Sequence, residues 1–79
     1  MMYTLYLLLC KDKSIYTGIT TDLARRFAEH QEGIGSKYTR ARGAVKMIYT
    51  ERFKTRSKAS KREAEIKGWK RERKLSLIT

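Results

Sequence analysis

Five side chains that could act on a phosphodiester bond recur along the sequence. Two tyrosines, Tyr6 and Tyr16, lie ten positions apart, and Arg26, His30 and Glu63 follow. A phenol or an imidazole can remove a proton from water, and a guanidinium can stabilise charge that develops on a phosphate. One carboxylate can hold a Mg²⁺ ion whose remaining ligands are water. The five residues therefore suit hydrolysis of a phosphodiester, provided that the fold brings them together.

A β-hairpin is needed to place the two tyrosines on one face of a sheet. The short apolar runs at Tyr3–Cys10 and Ile15–Thr20 predict two strands with a polar turn between them. Pairing of Leu8 with Tyr16 would put both phenols on one face, on a diagonal roughly 7–8 Å long at the backbone. Gly18, inside the second strand, indicates close approach of another backbone or of a ligand to the sheet.

Two helices are expected to bring the other three groups to this hairpin. A helix over residues 22–31 would place Arg26 and His30 one turn apart at the edge of its apolar stripe. A second helix, from about residue 55 to Lys70, would carry Glu63 on its inward face. A buried carboxylate is costly unless it is paired or bound to a metal, so an ion pair between Glu63 and Arg26 is the alternative to a metal site. The alternative for Tyr6 and Tyr16 is that they only pack in the sheet. The alternative for His30 is an ordinary histidine at a helix end whose hydrogen bonds are satisfied.

The remaining elements complete a small α+β fold. A third strand is expected at Val45–Thr50, with alternate residues from Val45 to Tyr49 on one face, and a short last helix at Lys70–Leu77. Residues 31–43 contain three glycines and no apolar period, so they are interpreted as a loop. The order β-β-α-β-α-α predicts a three-stranded antiparallel sheet flanked by helices.

The composition indicates a single basic domain, expected over residues 1–79. Nineteen Lys and Arg against eight Asp and Glu give a net charge of +11, which attracts polyanions and makes binding salt-sensitive. No run approaches the ~18 apolar residues that span a bilayer, and the N-terminal residues do not resemble a secretion signal, so no membrane partner is expected. The single cysteine, Cys10, excludes an intramolecular disulfide and suits the reducing cytoplasm.

A basic segment with an interleaved aromatic residue lies inside the expected loop. Such a segment can contact phosphates and stack on a base. An ordinary solvated loop is the alternative interpretation. The candidate nucleic-acid-binding residues are Lys37, Tyr38, Arg40 and Arg42.

Taken together, these residues resemble the pattern of the GIY-YIG nuclease family, in its small stand-alone bacterial form. The first triplet of that family corresponds to residues 4–6, of which only Tyr6 is kept, and the second to residues 16–18, of which Tyr16 and Gly18 are kept. The resemblance covers nearly the whole chain. The arginine, the tyrosine-or-histidine and the metal-binding glutamate of the family fall on Arg26, His30 and Glu63.

The resemblance implies a one-metal hydrolysis of DNA phosphodiesters without a covalent enzyme intermediate. Tyr16 would act as the general base or assist it, and Tyr6 and His30 would orient the water and Tyr16. Arg26 would stabilise the transition state, and Glu63 would hold one divalent ion, Mg²⁺ or Mn²⁺. An unperturbed phenol has a pKa of about 10, so a phenol acting as a base near neutral pH needs help from the metal or a neighbouring cation or imidazole.

The sequence is therefore expected to encode a metal-dependent DNA endonuclease of the GIY-YIG type. DNA repair or processing in the cytoplasm is the expected setting, with branched or damaged DNA among the substrates and RNA left open. The main alternative is a catalytically weak or inactive basic nucleic-acid-binding module with the same fold. A basic protein associated with RNA or ribosomes would fit the charge, but it would explain the inward position of Glu63 only as an ion pair.

Overall fold

The structure of the chain, a computed structural model, describes residues 1–78 and confirms the α+β class with a three-stranded antiparallel sheet. A short helix at Lys37–Arg42 is additional to the expected element order. A 3₁₀ turn at Ser76–Ile78 follows the last helix. In chain order the elements are β1 (Tyr3–Cys10), β2 (Ile15–Thr20), α1 (Leu23–Gln31), α2 (Lys37–Arg42), β3 (Ala44–Phe53), α3 (Arg56–Lys67) and α4 (Arg71–Leu75).

The central strand of the sheet is β1, which pairs antiparallel with β2 on one side and with β3 on the other. Leu8 pairs with Tyr16, and Tyr6 pairs with Gly18, so the predicted hairpin register is confirmed. Since successive side chains of a strand point to opposite faces, Tyr6, Leu8 and Tyr16 share one face of the sheet.

The opposite face of the sheet carries the apolar core. Leu5 and Leu7 of β1 pack with Ile15 of β2 and Ile66 of α3 in one cluster, and Trp69 and other partly buried residues pack against its margin. Full burial of one such aliphatic side chain contributes about 1.5–3 kcal/mol. This cluster fixes α3 against the sheet and so determines where the remaining α3 side chains can reach.

Local capping explains where three of the helices begin. The side chains of Asp22, Ser36 and Thr55 each accept a hydrogen bond from the backbone N–H three residues later, at the start of α1, α2 and α3. A cap of this kind satisfies one of the backbone donors that have no partner within the helix, and it contributes about 1 kcal/mol. Within residues 1–78, none of the helices combines the length and hydrophobicity that crossing a bilayer requires.

The interpretation of residues 31–43 as a loop is wrong for the six residues of α2. This helix has no apolar repeat because it is short and only Thr39 within it is buried. It exists because Ser36 caps its start and Gly43, with a φ of 77°, ends it.

The expected side-chain alternation in β3 is also wrong. Met47 lies opposite Leu8, whereas Tyr49 lies opposite Leu7, and these two neighbours on β1 point to opposite faces. A register shift between Leu7 and Leu8 leaves Ile48 as an extra residue on β3, as in a β-bulge. The strand also runs three residues past its expected end, to Phe53.

Candidate active site

A buried contact between Tyr6 and His30 forms the centre of the candidate site. The Tyr6 hydroxyl oxygen lies 2.7 Å from Nε2 of His30, and each residue is 1% exposed. The Tyr6 ring occupies the space beside Gly18, where an added Cβ would lie 2.5 Å from the Tyr6 oxygen. The close approach indicated by Gly18 is therefore that of the Tyr6 side chain, rather than of another backbone or a ligand.

The second nitrogen of His30 is also held. Nδ1 lies 2.7 Å from Oγ1 of Thr39, which in turn lies 2.9 Å from Oγ of Ser36. Burial, reinforced by the charge of Arg26, lowers the pKa of His30 below its ordinary value, so the imidazole is neutral near pH 7. A neutral imidazole has one donor and one acceptor nitrogen. When Tyr6 donates to Nε2, Nδ1–H donates to Thr39 and both ring nitrogens are satisfied.

The Arg26 guanidinium is fixed beside these residues. It donates to the backbone carbonyl of Gly35 at 2.7 Å and forms an ion pair with Glu29 at 3.2 Å. Burial raises the pKa of Tyr6 to about 12, although a hydrogen bond with Arg26 and the charge of that guanidinium act in the opposite direction. Tyr6 consequently keeps its proton near neutral pH. The adjacent Arg25 is exposed, as expected in a helix, where neighbouring residues point about 100° apart.

Tyr16 differs from Tyr6 in its access to solvent. It is half-buried, and its ring centroid lies 5.2 Å from that of His30 and 6.2 Å from that of Tyr6. The other side of Tyr16 faces Tyr38, whose ring centroid is 5.6 Å away. Tyr16 is therefore the tyrosine of this pair that a substrate at the surface could reach.

Glu63 reaches the neighbourhood of the site from α3. Its side chain is 21% exposed, and its carboxylate pairs with Lys67 at 3.4 Å. Arg26 pairs with Glu29, and no ion pair joins it to Glu63 among residues 1–78, so the alternative pairing of these two residues is wrong. The negative charge of Glu63 contributes, after burial, to the raised pKa of Tyr6.

A family model of the GIY-YIG catalytic domain matches residues 2–76 of the chain. The chain belongs to the GIY-YIG family. This is a family of endonucleases that generally use a divalent metal ion, so membership implies a nucleic acid as the class of substrate.

The relatives of this GIY-YIG chain are UPF0213 proteins. One from Staphylococcus saprophyticus is 47% identical over 75 residues, which are 95% of this chain and 92% of that protein. One from Haloquadratum walsbyi is 51% identical over 72 residues, which are 91% and 81% of the two chains. Solution NMR structures of a UPF0213 protein from Bacillus halodurans and of a protein from E. faecalis share the fold, with TM-scores of 0.62 and 0.67 and identities of 42% and 44%. Each match covers 99% of this chain and 83% of the solved one.

The residues present fit the loosely held divalent ion that GIY-YIG nucleases generally use. Among residues 1–78, no three His, Cys, Asp or Glu side chains are grouped to enclose a metal. Glu63 is a single, mostly buried carboxylate whose partner Lys67 is about half exposed, and such an ion pair is weak. Mg²⁺ keeps several water ligands and binds through one or two carboxylates and substrate phosphates, so one glutamate suits it.

The four candidate nucleic-acid-binding residues lie on α2, and only part of this set adjoins the site. Tyr38 stacks against Tyr16, and the Arg42 guanidinium lies 4.1 Å from the centroid of the Tyr38 ring. Arg42 also pairs with Asp12 at 3.0 Å. Lys37 and Arg40 are exposed.

Sequence reasoning missed the residues that hold His30 in place. These are Thr39 and Ser36, together with Gly35, at which an added Cβ would collide with the imidazole. Ser36 is a residue type favoured at the N-cap, and this signal could have identified α2. Lys74, which donates to the backbone carbonyl of Ile15 at 3.2 Å, was also missed.

Proposed function

We propose that the chain is a nuclease that hydrolyses phosphodiester bonds of DNA with the help of one divalent ion, Mg²⁺ or Mn²⁺. The proposal rests on family membership and on one observation. A neutral His30, with a hydrogen-bond partner at each ring nitrogen, lies between buried Tyr6 and half-buried Tyr16. The fixed guanidinium of Arg26 lies beside these residues. We also treat residues 1–79 as one functional domain that acts in DNA repair or processing. The free, buried Cys10 thiol supports a cytoplasmic location.

In this proposal Tyr16 first releases its phenolic proton to solvent, and its phenolate then takes a proton from the attacking water or assists another base in doing so. The water oxygen forms a bond to phosphorus, the bond from phosphorus to the leaving sugar oxygen breaks, and that oxygen takes up a proton from solvent. Tyr6 is less suited to act as the base than the more exposed Tyr16, because burial raises the pKa of Tyr6 to about 12. Tyr6 instead positions His30, and His30 positions Tyr16.

Two further groups stabilise the charge on the phosphate. Arg26 offers a guanidinium whose orientation is fixed by Glu29 and by the Gly35 carbonyl, so little reorganisation is needed when charge develops. Glu63 would hold the divalent ion, which supplies Lewis-acid stabilisation of the phosphate when bound.

The exposed face of α2 would bind the nucleic acid strand. Lys37, Arg40 and Arg42 offer cations to phosphates, and Tyr38 offers a ring on which a base can stack. Contacts of this kind place the strand without reading its sequence, so structure-dependent rather than sequence-dependent cleavage is expected. Branched and damaged DNA are the substrates to compare first, and RNA is a further substrate for the same assay.

Nicking of a supercoiled plasmid with Mg²⁺ or Mn²⁺ tests the proposal. Tyr16→Phe should lose at least about a hundredfold in rate, the usual contribution of general base catalysis, whereas Tyr3→Phe is the matched tyrosine control. Glu63→Gln should lose metal-dependent cleavage, while Glu65→Gln, an exposed glutamate on the same helix, should retain it. Wild-type protein that binds but never cleaves duplex, branched or single-stranded DNA would favour the inactive binding module.

A further inference from the structure

A cavity of about 290 Å³ lies beside the candidate site and is only partly accounted for by it. Tyr16 and Tyr38 form one side of this cavity. The other side is lined by residues to which the proposed mechanism gives no role, namely Ile15, Thr17, Lys67 and Lys74. Two of these four are lysines, and all but Lys67 are buried.

Lys74 is a buried cation without an acidic partner in the described part of the chain. It is 9% exposed, and its ammonium donates to the carbonyl of Ile15, the residue before Tyr16. None of the ion pairs formed within residues 1–78 includes Lys74. Burial, together with the charge of Lys67, lowers the pKa of Lys74. A buried ammonium in this position gains stability when an anion enters the cavity.

Thr17 provides a second donor that is not otherwise used. It is 2% exposed, and among the described residues its hydroxyl is a buried side-chain group with no hydrogen-bond partner. A buried hydroxyl without a partner destabilises the protein by about 1–3 kcal/mol. A ligand that accepts a hydrogen bond from this hydroxyl removes the penalty.

The backbone of the edge strand adds to the same site. A hydrogen bond from the Cys10 N–H to the Ser14 carbonyl closes the hairpin, so the peptide groups of Ile15 and Thr17 point away from β1. The Ile15 carbonyl already accepts from Lys74 on that side. The Thr17 N–H is thus directed toward the open edge of β2, where an anion can accept from it.

We propose that this cavity binds a phosphodiester phosphate of the nucleic acid strand, next to the phosphate that is cleaved at Tyr16. Lys74 and the Thr17 hydroxyl and N–H are its donors, and Tyr38 borders the path of the strand. Lys67 lies between this phosphate and Glu63, with which it pairs, so the cavity adjoins the carboxylate assigned to the metal. The inference deepens the proposed function and rests on it for the identity of the strand.

The site can be tested without any cleavage by NMR titration of the metal-free protein. Inorganic phosphate and a dinucleoside monophosphate are the two probes, and backbone shifts at Thr17 and Lys74 are the readout. Thr17→Val removes the hydroxyl that has no partner, so it should preserve the fold, and roughly tenfold weaker binding of both probes is expected. Lys74→Met should weaken binding at least as much, whereas Lys58→Met, which removes an exposed lysine of α3, should not.

Equal affinities of the Thr17→Val, Lys58→Met and wild-type proteins would overturn the inference, as would the absence of shifts at Thr17 and Lys74. Binding of inorganic phosphate but not of the dinucleotide would also overturn it, because the site would then not accept a diester. In cleavage assays, Thr17→Val should raise KM about tenfold with kcat retained. Cleavage by Thr17→Val with an unchanged KM would refute this subsite but not the proposed nuclease activity. Binding of the dinucleotide by the wild-type protein without cleavage of any DNA would support the subsite and refute the nuclease activity.

Discussion

The Tyr6 hydroxyl oxygen lies 2.7 Å from Nε2 of His30, and this contact joins the central strand of the sheet to the last turn of α1. Both groups are almost fully buried. The same imidazole contacts Tyr16 and is held from its far side by Thr39. One buried ring therefore determines the relative positions of two strands and two helices at the candidate site.

The first prediction concerns the stability of a variant at Gly18, which lies against the Tyr6 ring. Gly18→Ala would place a methyl group against the Tyr6 ring, so we expect overpacking to lower the free energy of unfolding by about 1–3 kcal/mol. Gly68→Ala is the control, because the nearest atom to its added Cβ is 3.7 Å away and its φ is −79°. That control should be neutral or stabilising by about 0.4–1 kcal/mol. Urea denaturation of both variants gives the comparison, and an equal effect at the two glycines would contradict the packing assigned to Tyr6.

The pH dependence of stability follows from the lowered pKa of His30. The folded protein binds a proton at this residue less readily than the unfolded chain, whose histidine has a pKa of about 6.5. The stability due to neutral His30 is therefore fully present above pH ~6.5 and is lost as the pH falls through the lower, folded-state pKa. His30 is the single histidine, so His30→Gln should flatten this part of the profile. Urea midpoints measured between about pH 5 and 7.5 provide the test, and a variant with the wild-type slope would assign the pH dependence to another group.

Thr39 is predicted to position His30. Thr39→Val would leave Nδ1 of His30 buried without its partner, so we expect a loss of about 1–3 kcal/mol in stability. The ¹⁵N shifts of the imidazole should change in the same variant because the tautomer is no longer fixed, and kcat should fall more than KM rises. Thr50→Val, at an exposed position on β3, is the matched control. Unchanged imidazole shifts in Thr39→Val would show that Thr39 does not set the tautomer.

The basic face of α2 should control the salt dependence of DNA binding. Replacing Lys37, Arg40 and Arg42 together by glutamine should weaken binding to all sequences and reduce the slope of log affinity against log salt by about three. A control with Arg56, Lys58 and Lys61 replaced removes the same charge from exposed positions on α3. Fluorescence anisotropy at several salt concentrations separates the two, and identical slopes would mean that only the net charge matters.

The hairpin could be predicted from its two short apolar runs, and its register was limited by one further constraint. Placing Tyr6 and Tyr16 on one face requires even positions to pair with even positions, and the observed pairing of Leu8 with Tyr16 satisfies it. The helical spacing in α1 likewise separated the exposed Arg25 from the half-buried Arg26. Local periodicity was sufficient for these features.

The features that could not be predicted depend on contacts between distant parts of the chain. The register shift opposite Leu7 and Leu8 has no local signal in β3, and it places Met47 and Tyr49 on different faces. The helix α2 is too short to have an apolar repeat, so the contact of Thr39 with His30 was also missed. The pair of Glu63 and Lys67 has the i, i+4 spacing of a helical ion pair, so it could have been predicted. Choosing Lys67 rather than Arg26 as the partner of Glu63 required knowing that Arg26 pairs with Glu29.

Gly18 and Gly35 each lie against a ring of the site, Tyr6 and His30 respectively, and each leaves space that the ring fills. Among descendants of this sequence, a side chain at either glycine is tolerated only when the facing ring becomes smaller, so each glycine and its ring should covary. The two pairs should tend to be lost together, because the Tyr6 hydroxyl lies within hydrogen-bond distance of Nε2 of His30. A lineage that has abandoned the site would therefore carry larger residues at positions 18 and 35 while keeping the core around Leu5, Leu7 and Ile66.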